Sequence, residues 1–204
     1  MLELAVLGLL HDSPMHGYEL RKRLTGLLGA FRAFSFGSLY PTLRRLQRCG
    51  FIAEEDESLE GKEESRAVRG KAWARRGRRV YKLTADGKER FATLLADAGP
   101  QTWEDDGFGV HLAFFSRTPA EVRMRILEGR RRRVEERREG LRAALARTSD
   151  QIDRYTLELH RMGLETSERE VRWLNELIAH EQAHPAPTES AATSHDDTEG
   201  PHHD

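Results

Sequence analysis

Leu39, Leu43 and Leu46 recur at helical spacing between Ser38 and Gly50, and no other stretch of this sequence constrains the fold so tightly. A serine before the first apolar residue is a helix start, because its hydroxyl can accept from an unpaired first-turn amide. Pro41 falls in that first turn, where a missing N–H costs little. Gly50 is a suitable stop. Burying the leucine stripe leaves Tyr40, Thr42, Arg44, Arg45 and Arg48 on the opposite side. A helix of this diameter fits the major groove of DNA, and side chains of these types can reach base edges or phosphates. Two of them have a plainer alternative: half-buried packing for Tyr40, and solvation near the helix end for Arg48.

The charge distribution points the same way. The formal net charge is −1, yet residues 1–99 carry 18 basic against 13 acidic side chains, and residues 100–204 carry 15 against 21. From Leu20 to Ala53 there is no acid, while Arg21, Lys22, Arg23, Arg32, Arg44, Arg45 and Arg48 are basic. A polyanion is the natural partner of such a surface, although a merely solvated basic face has the same composition. The longest apolar run, Leu4 to Leu10, is far too short to span a bilayer and has no basic residue before it. Neither a membrane span nor a secretory leader is therefore expected. The single cysteine, Cys49, can form no intramolecular disulfide, so a cytoplasmic location is the simplest expectation.

The spacing predicts a first helix over Leu2–His11, with Leu2, Val6, Leu9 and Leu10 on one face, stopped by Asp12-Ser13-Pro14. A second runs from about His16 to Leu28, with Tyr18 or Glu19, Leu20, Leu24, Leu27 and Leu28 as its stripe. After the third helix, Phe51–Glu54 and Arg79–Leu83 read as two strands of a hairpin. Thr84 caps a fourth helix with Phe91, Leu94 and Leu95 inward. Three helices, a hairpin and another helix make a winged helix-turn-helix.

Three motifs in this order resemble the PadR family: Pro14-Met15-His16-Gly17-Tyr18-Glu19-Leu20, then Gly37-Ser38-Leu39-Tyr40-Pro41-Thr42-Leu43-Arg44-Arg45-Leu46, then Tyr81-Lys82-Leu83-Thr84-Ala85-Asp86-Gly87. The likeness is specific over residues 1–99 and looser over 105–182. It implies a transcriptional regulator, not an enzyme, that binds double-stranded operator DNA as a homodimer, most simply as a ligand- or stress-responsive repressor on a palindromic site. It further implies that Ser38, Leu39, Tyr40, Pro41 and Thr42 face DNA, with Arg44, Arg45 and Arg48 on the backbone. The wing departs from the family pattern. Its loop, about 55–78, is long and split by charge, with seven acids and one base from Glu54 to Glu64 and seven bases and no acid from Arg66 to Arg79. The basic limb, including Arg75, Arg76, Arg78 and Arg79, is expected along phosphates or in the minor groove. A disordered insertion with locally paired charges is the alternative.

The fold class expected overall is mainly α: a winged helix-turn-helix over 1–99 and a helical, coiled-coil-like dimerisation domain over 105–182. Phe108, Leu112 and Phe115 suggest a short fifth helix. Thr118-Pro119-Ala120-Glu121 then reads as a capping box. Beyond it Leu141, Leu145, Thr148, Ile152, Tyr155, Leu159 and Met162 are spaced 4, 3, 4, 3, 4, 3, with Leu127 and Val134 in the same register. One helix to about Met162 would be roughly 65–70 Å long, so a partner subunit is expected along it, with a break near Arg147–Asp150 as the alternative. Gly163 is read as its end, and Ser167 as the cap of a last helix carrying Val171, Leu174, Leu177 and Ile178. The expected dimer contacts are Leu127, Val134, Leu141, Leu145, Ile152, Tyr155, Leu159, Leu174 and Leu177. Residues 185–204 hold no large apolar side chain and are expected to be disordered.

Other signals weigh less. His180-Glu181-Gln182-Ala183-His184 matches a zinc-protease motif, but at the last turn of the last helix it lacks a third ligand and a cleft, so neither a catalytic nor a metal site is assigned. Cys49 reads as a packing residue rather than a redox sensor. Trp103, Phe108, Phe114 and Phe115 are expected in a core, with the lining of an effector pocket near a dimer interface as the alternative that the resemblance implies. No cofactor is implied, and a small-molecule effector is left unidentified. A second function class is open, an adaptor whose winged helix binds protein on a coiled-coil scaffold.

Overall fold

The computed structural model describes residues 1–28, 36–56, 79–148 and 153–184, and places two hydrophobic cores side by side. The first is built around α1, Leu2–Asp12. Every residue from Leu4 to Leu10 is buried, so this helix has no solvent stripe. The one-sided reading of its sequence is corrected: a helix apolar on all sides belongs inside. Ser13 and Pro14 end it, and Met15–His16 form β1, a strand too short to show any period. α2 follows at Gly17–Leu28. Glu19 accepts a bond of 2.9 Å from the His16 N–H, half of a capping box. Leu20 and Leu24 are buried and Leu27 of the same expected stripe is exposed; of the alternatives Tyr18 and Glu19, Tyr18 is exposed and Glu19 half-buried.

A 3₁₀ turn at Phe36–Ser38 leads into α3, Leu39–Arg48. Leu39, Leu43 and Leu46 are all buried. Ser38 has right-handed helical backbone angles and makes no side-chain cap bond, because the 3₁₀ turn has already drawn it into the spiral. The helix ends at Gly50, whose φ of 76° only glycine adopts without strain. The Phe51 N–H reaches the Leu46 carbonyl and the Gly50 N–H that of Gln47, both at 3.0 Å. This is a Schellman stop.

β2, Ile52–Asp56, and β3, Arg79–Leu83, pair antiparallel, with Ile52 opposite Leu83 and Asp56 opposite Arg79. β1 adds to the other edge of β3, giving the order β1-β3-β2. α4, Ala85–Ala96, is capped by Thr84, whose hydroxyl accepts from the Gly87 N–H at 3.0 Å and donates to the Gly50 carbonyl at 2.6 Å. One side chain thus ties the start of α4 to the end of α3. Gly87 has no alternative, since a Cβ there would overlap the Phe51 carbonyl oxygen.

α5, Asp105–Ala113, serves both cores. Val110 and Phe114, just past its end, pack with α1 in the first, while Phe108 and Phe115 pack in the second. The aromatics suspected of lining a pocket are therefore packing residues for the three phenylalanines, and Trp103 lies half-buried on Gly129.

α6, Ala120–Thr148, and α7, Arg154–Ala183, form an antiparallel hairpin. The expected helix from Thr118 to Met162 is thus divided. Asp153 caps α7 by accepting from the N–H groups of Tyr155 and Thr156 at 2.9 and 3.1 Å. The end expected at Gly163 and the cap expected at Ser167 are corrected, for α7 runs through both. Leu141 presses against Gly163, where a Cβ would lie 3.3 Å from its nearest methyl, so this glycine admits a neighbouring helix and does not stop its own. The buried Ser167 donates to the Gly163 carbonyl at 2.9 Å, a bond that satisfies a hydroxyl inside a helix. Thr118 likewise turns its hydroxyl back to the Phe114 carbonyl.

The seam expected to face a partner is largely used at home. Leu127, Val134 and Leu174 are fully buried with Ile126, Val171 and Ile178. Leu177 packs on this core, and Leu141 and Leu145 are half-buried. Ile152 lies outside the described residues. Of the seam's described residues, Tyr155, Leu159 and Met162, exposed by 84%, 59% and 60%, present an uncovered apolar ridge. No helix among the described residues is long and apolar enough to cross a membrane.

Candidate nucleic-acid interface

The three leucines anchor α3 on α1, and helical geometry turns the remaining positions outward. Ser38, Tyr40, Pro41, Arg44, Arg45 and Arg48 are exposed and Thr42 is half-buried. Leu39, expected to face DNA, is instead 2% exposed, because the stripe that fixes the helix begins with it. An open groove of about 930 Å³ runs between the outer side of α3 and β2, lined by Pro41, Arg44, Gln47, Arg48, Ile52 and Ala53. It combines two guanidiniums, an amide and an apolar floor, the mixture that holds a phosphate backbone and a base edge together.

Tyr40 stands on the flank towards the sheet. A Cβ on Gly17 would lie 3.6 Å from its ring and 3.5 Å from that of Tyr81, so both tyrosines flank Gly17 at van der Waals distance. Burial pushes the Tyr81 phenol above its usual pKa, with the Glu54 carboxylate adding to the effect. Tyr18 extends the aromatic flank on α2, 60% exposed, with its ring 5.7 Å from that of His16. Arg21, Lys22 and Arg23 are exposed beside it. Sequence reasoning placed Tyr18 or Glu19 in the stripe of α2 and passed over Gln47. The acid-free run from Leu20 was the signal that α2 shares the surface.

Arg45 lies on the opposite flank and is engaged. Its Nη2 donates to Glu3 Oε2 at 2.7 Å, while Arg90 Nε of α4 donates to Glu3 Oε1 at 2.7 Å. Burial raises the Glu3 carboxyl, but the hydrogen bonds and charges of Arg90 and Arg45 outweigh it and leave the pKa below the ordinary value. At the hairpin base, Arg79 pairs with Glu54 and Lys82 with Glu55, each at 2.9 Å. Arg75, Arg76 and Arg78, with the rest of the charged loop, lie outside the described residues, as do residues 185–204.

Glu181 of the zinc-protease motif is held by Arg123 at 2.7 Å, and the rings of His180 and His184 stack 4.7 Å apart. Among the described residues no group of three His, Cys, Asp or Glu side chains is placed to hold a metal. Cys49 is exposed at the end of α3.

Residues 6–93 match the family model described as the transcriptional regulator PadR-like family. Among solved structures, Bacillus subtilis PadR in complex with operator DNA is 20% identical over 88% of this chain and 98% of that one, with a TM-score of 0.38. The same protein in complex with p-coumaric acid is 20% identical over 89% and 98%, with a TM-score of 0.39. A PadR-like transcriptional regulator from Bacillus cereus is 21% identical over 90% and 99%, with a TM-score of 0.38. No curated protein matches the chain.

Proposed function

We propose that this chain, whose residues 6–93 match the PadR-like family of transcriptional regulators, belongs to that family and binds double-stranded operator DNA as a homodimer, with α3 in the major groove. The observation that carries the reading is the outer face of α3. Arg44, Arg48 and Gln47 line one groove with Pro41, and Tyr40 stands exposed beside it. Arg44 and Arg48 contact phosphates or guanine edges, Ser38 and Thr42 contact backbone near the helix start, and Tyr40 contacts a base edge or thymine methyl.

The uncovered ridge of Tyr155, Leu159 and Met162 on α7 supports the second copy, since two such ridges remove each other from water. Pairing through α7 would set two α3 helices about one DNA turn apart, roughly 34 Å, and select an inverted repeat. A small-molecule effector would act by favouring one arrangement of the two copies. α5 is the route, because its residues lie in both cores. Repression of an operon adjacent to the operator is the simplest outcome of such binding.

Selection of bound fragments from genomic DNA, followed by footprinting, tests the reading. A palindromic footprint whose affinity falls steeply with salt is expected. Salt-indifferent binding, or a chain that stays monomeric in sedimentation at micromolar concentration, overturns it.

A further inference from the structure

Arg45 belongs to the helix that carries the proposed DNA surface, yet its guanidinium is turned away from that surface to a carboxylate 42 residues earlier in the chain. Glu3 is 13% exposed, and each of its oxygens takes one guanidinium at 2.7 Å, Arg45 on one side and Arg90 on the other. Arg45 and Arg90 themselves remain 48% and 39% exposed. They are thus close enough to the surface to meet a polyanion and are restrained from doing so by one acidic side chain. Arg45 is thus a base of the acid-free run that an acid from outside that run holds.

We propose, on the DNA-binding reading above, that Glu3 sets how strongly the protein holds DNA of any sequence. It withholds Arg45 and Arg90 from phosphates, so that attraction to DNA of any sequence is kept low. The physical reason is counterion release. Each phosphate newly neutralised adds about 0.9 to the slope of log affinity against log salt, whatever the base sequence. A guanidinium whose charge is already balanced by a carboxylate adds less to that slope. Freeing it strengthens binding to every sequence alike. A plain structural staple joining α1, α3 and α4 would use the same contacts, but its loss would lower stability and leave the slope alone.

The test measures binding of the full chain to a mixed-sequence duplex over a range of salt. Glu3→Gln keeps the shape of the side chain and removes its charge. The slope is expected to steepen by about one to two units, with several-fold tighter binding at low salt. Arg45→Ala in the otherwise unaltered chain should move the slope by less than about half a unit, whereas Arg48→Ala should flatten it by about 0.9. That comparison stands even where Glu3→Gln fails to fold. Arg45→Ala added to Glu3→Gln should then flatten the slope by about 0.9, because the restraint is gone. Equal effects of Arg45→Ala and Arg48→Ala, or a Glu3→Gln protein that melts earlier with an unchanged slope, overturn the role of Glu3 and leave the DNA reading standing. An unaltered protein that binds no duplex overturns both.

Discussion

Arginine is put to opposite uses in α3 and in α6. The three arginines of α3 have no acid within their helix, and two of them, Arg44 and Arg48, line an open groove. α6 holds ten arginines and five glutamates, a denser basic run, yet four of its arginines reach acids of α7. Arg123 holds Glu181, Arg137 and Arg130 share Asp105 and Glu170, and Arg142 joins Glu139 to Glu168. Arg130 is the centre of this set, 7% exposed, over the Phe108 ring and donating also to the Trp103 carbonyl. Arginine density alone therefore does not mark a nucleic-acid surface. What distinguishes α3 is that, among the described residues, its one ion pair is that of Arg45 with Glu3.

The largest expected effect lies on the clamping side. Arg130→Ala leaves Asp105 and Glu170 with Arg137 alone, removes the buried guanidinium over the Phe108 ring, and should lower stability by about 3 kcal/mol in denaturant unfolding. Its salt slope for DNA should not move. A folded, equally stable variant with a flatter slope would mean that α6 is the DNA surface instead.

Next comes the joint between the two regions. His111 of α5 is 3% exposed, its Nδ1 has no partner, and burial drives its pKa down to about 4 against a pull upward from Asp97. The unfolded chain takes up a proton near pH 6.5 and the folded one does not until about pH 4. Stability from this group is therefore complete above pH 6.5 and declines as pH falls towards 4, by on the order of 2–3 kcal/mol. The depressed carboxyls of Glu3 and Asp105 lose their contributions only lower, as pH drops through and beneath their ordinary range. His111→Leu should flatten the decline between pH 6.5 and 4; an equally steep decline assigns it to other groups.

On the surface side, Arg44→Ala and Arg48→Ala should each weaken operator binding by about 1 kcal/mol and flatten the salt slope by about one unit. Their unfolding midpoints should stay within about 0.5 kcal/mol of the unaltered chain. Loss of stability without loss of binding would place these two with the clamps. The smallest effect is expected at Arg142, whose pairs with Glu139 and Glu168 lie in solvent. Arg142→Ala should leave both the melting temperature and DNA binding within measurement scatter, which separates an exposed bridge from the buried one at Arg130.

The parts of the site legible in the sequence are those encoded within one turn or one helix. The leucine stripe of α3, the glycine stop at Gly50 and the Thr84 cap each rest on neighbours a few residues away, and each stands where its pattern placed it. Patterns with two physical readings went astray. Gly163 looks like a stop and is a point of close approach, and Ser167 looks like a cap and bonds back along its own helix. Asp153, the real cap, interrupts a heptad spacing that continues on both sides of it. Leu39 is both the first member of the buried stripe and part of the motif expected on DNA, and burial prevailed.

The sequence by itself determined that a short helix bearing leucines on one side and arginines on the other follows Ser38, because helical periodicity needs no distant partner. Tertiary structure decided which arginines remain available. Glu3 reaches Arg45 across 42 residues, Glu170 reaches Arg130 across 40, and the seam of Leu127, Val134 and Leu174 closes on itself rather than on a second copy. A charge or an apolar side chain has a fixed chemistry but no fixed role until the fold sets what stands within a few ångströms of it.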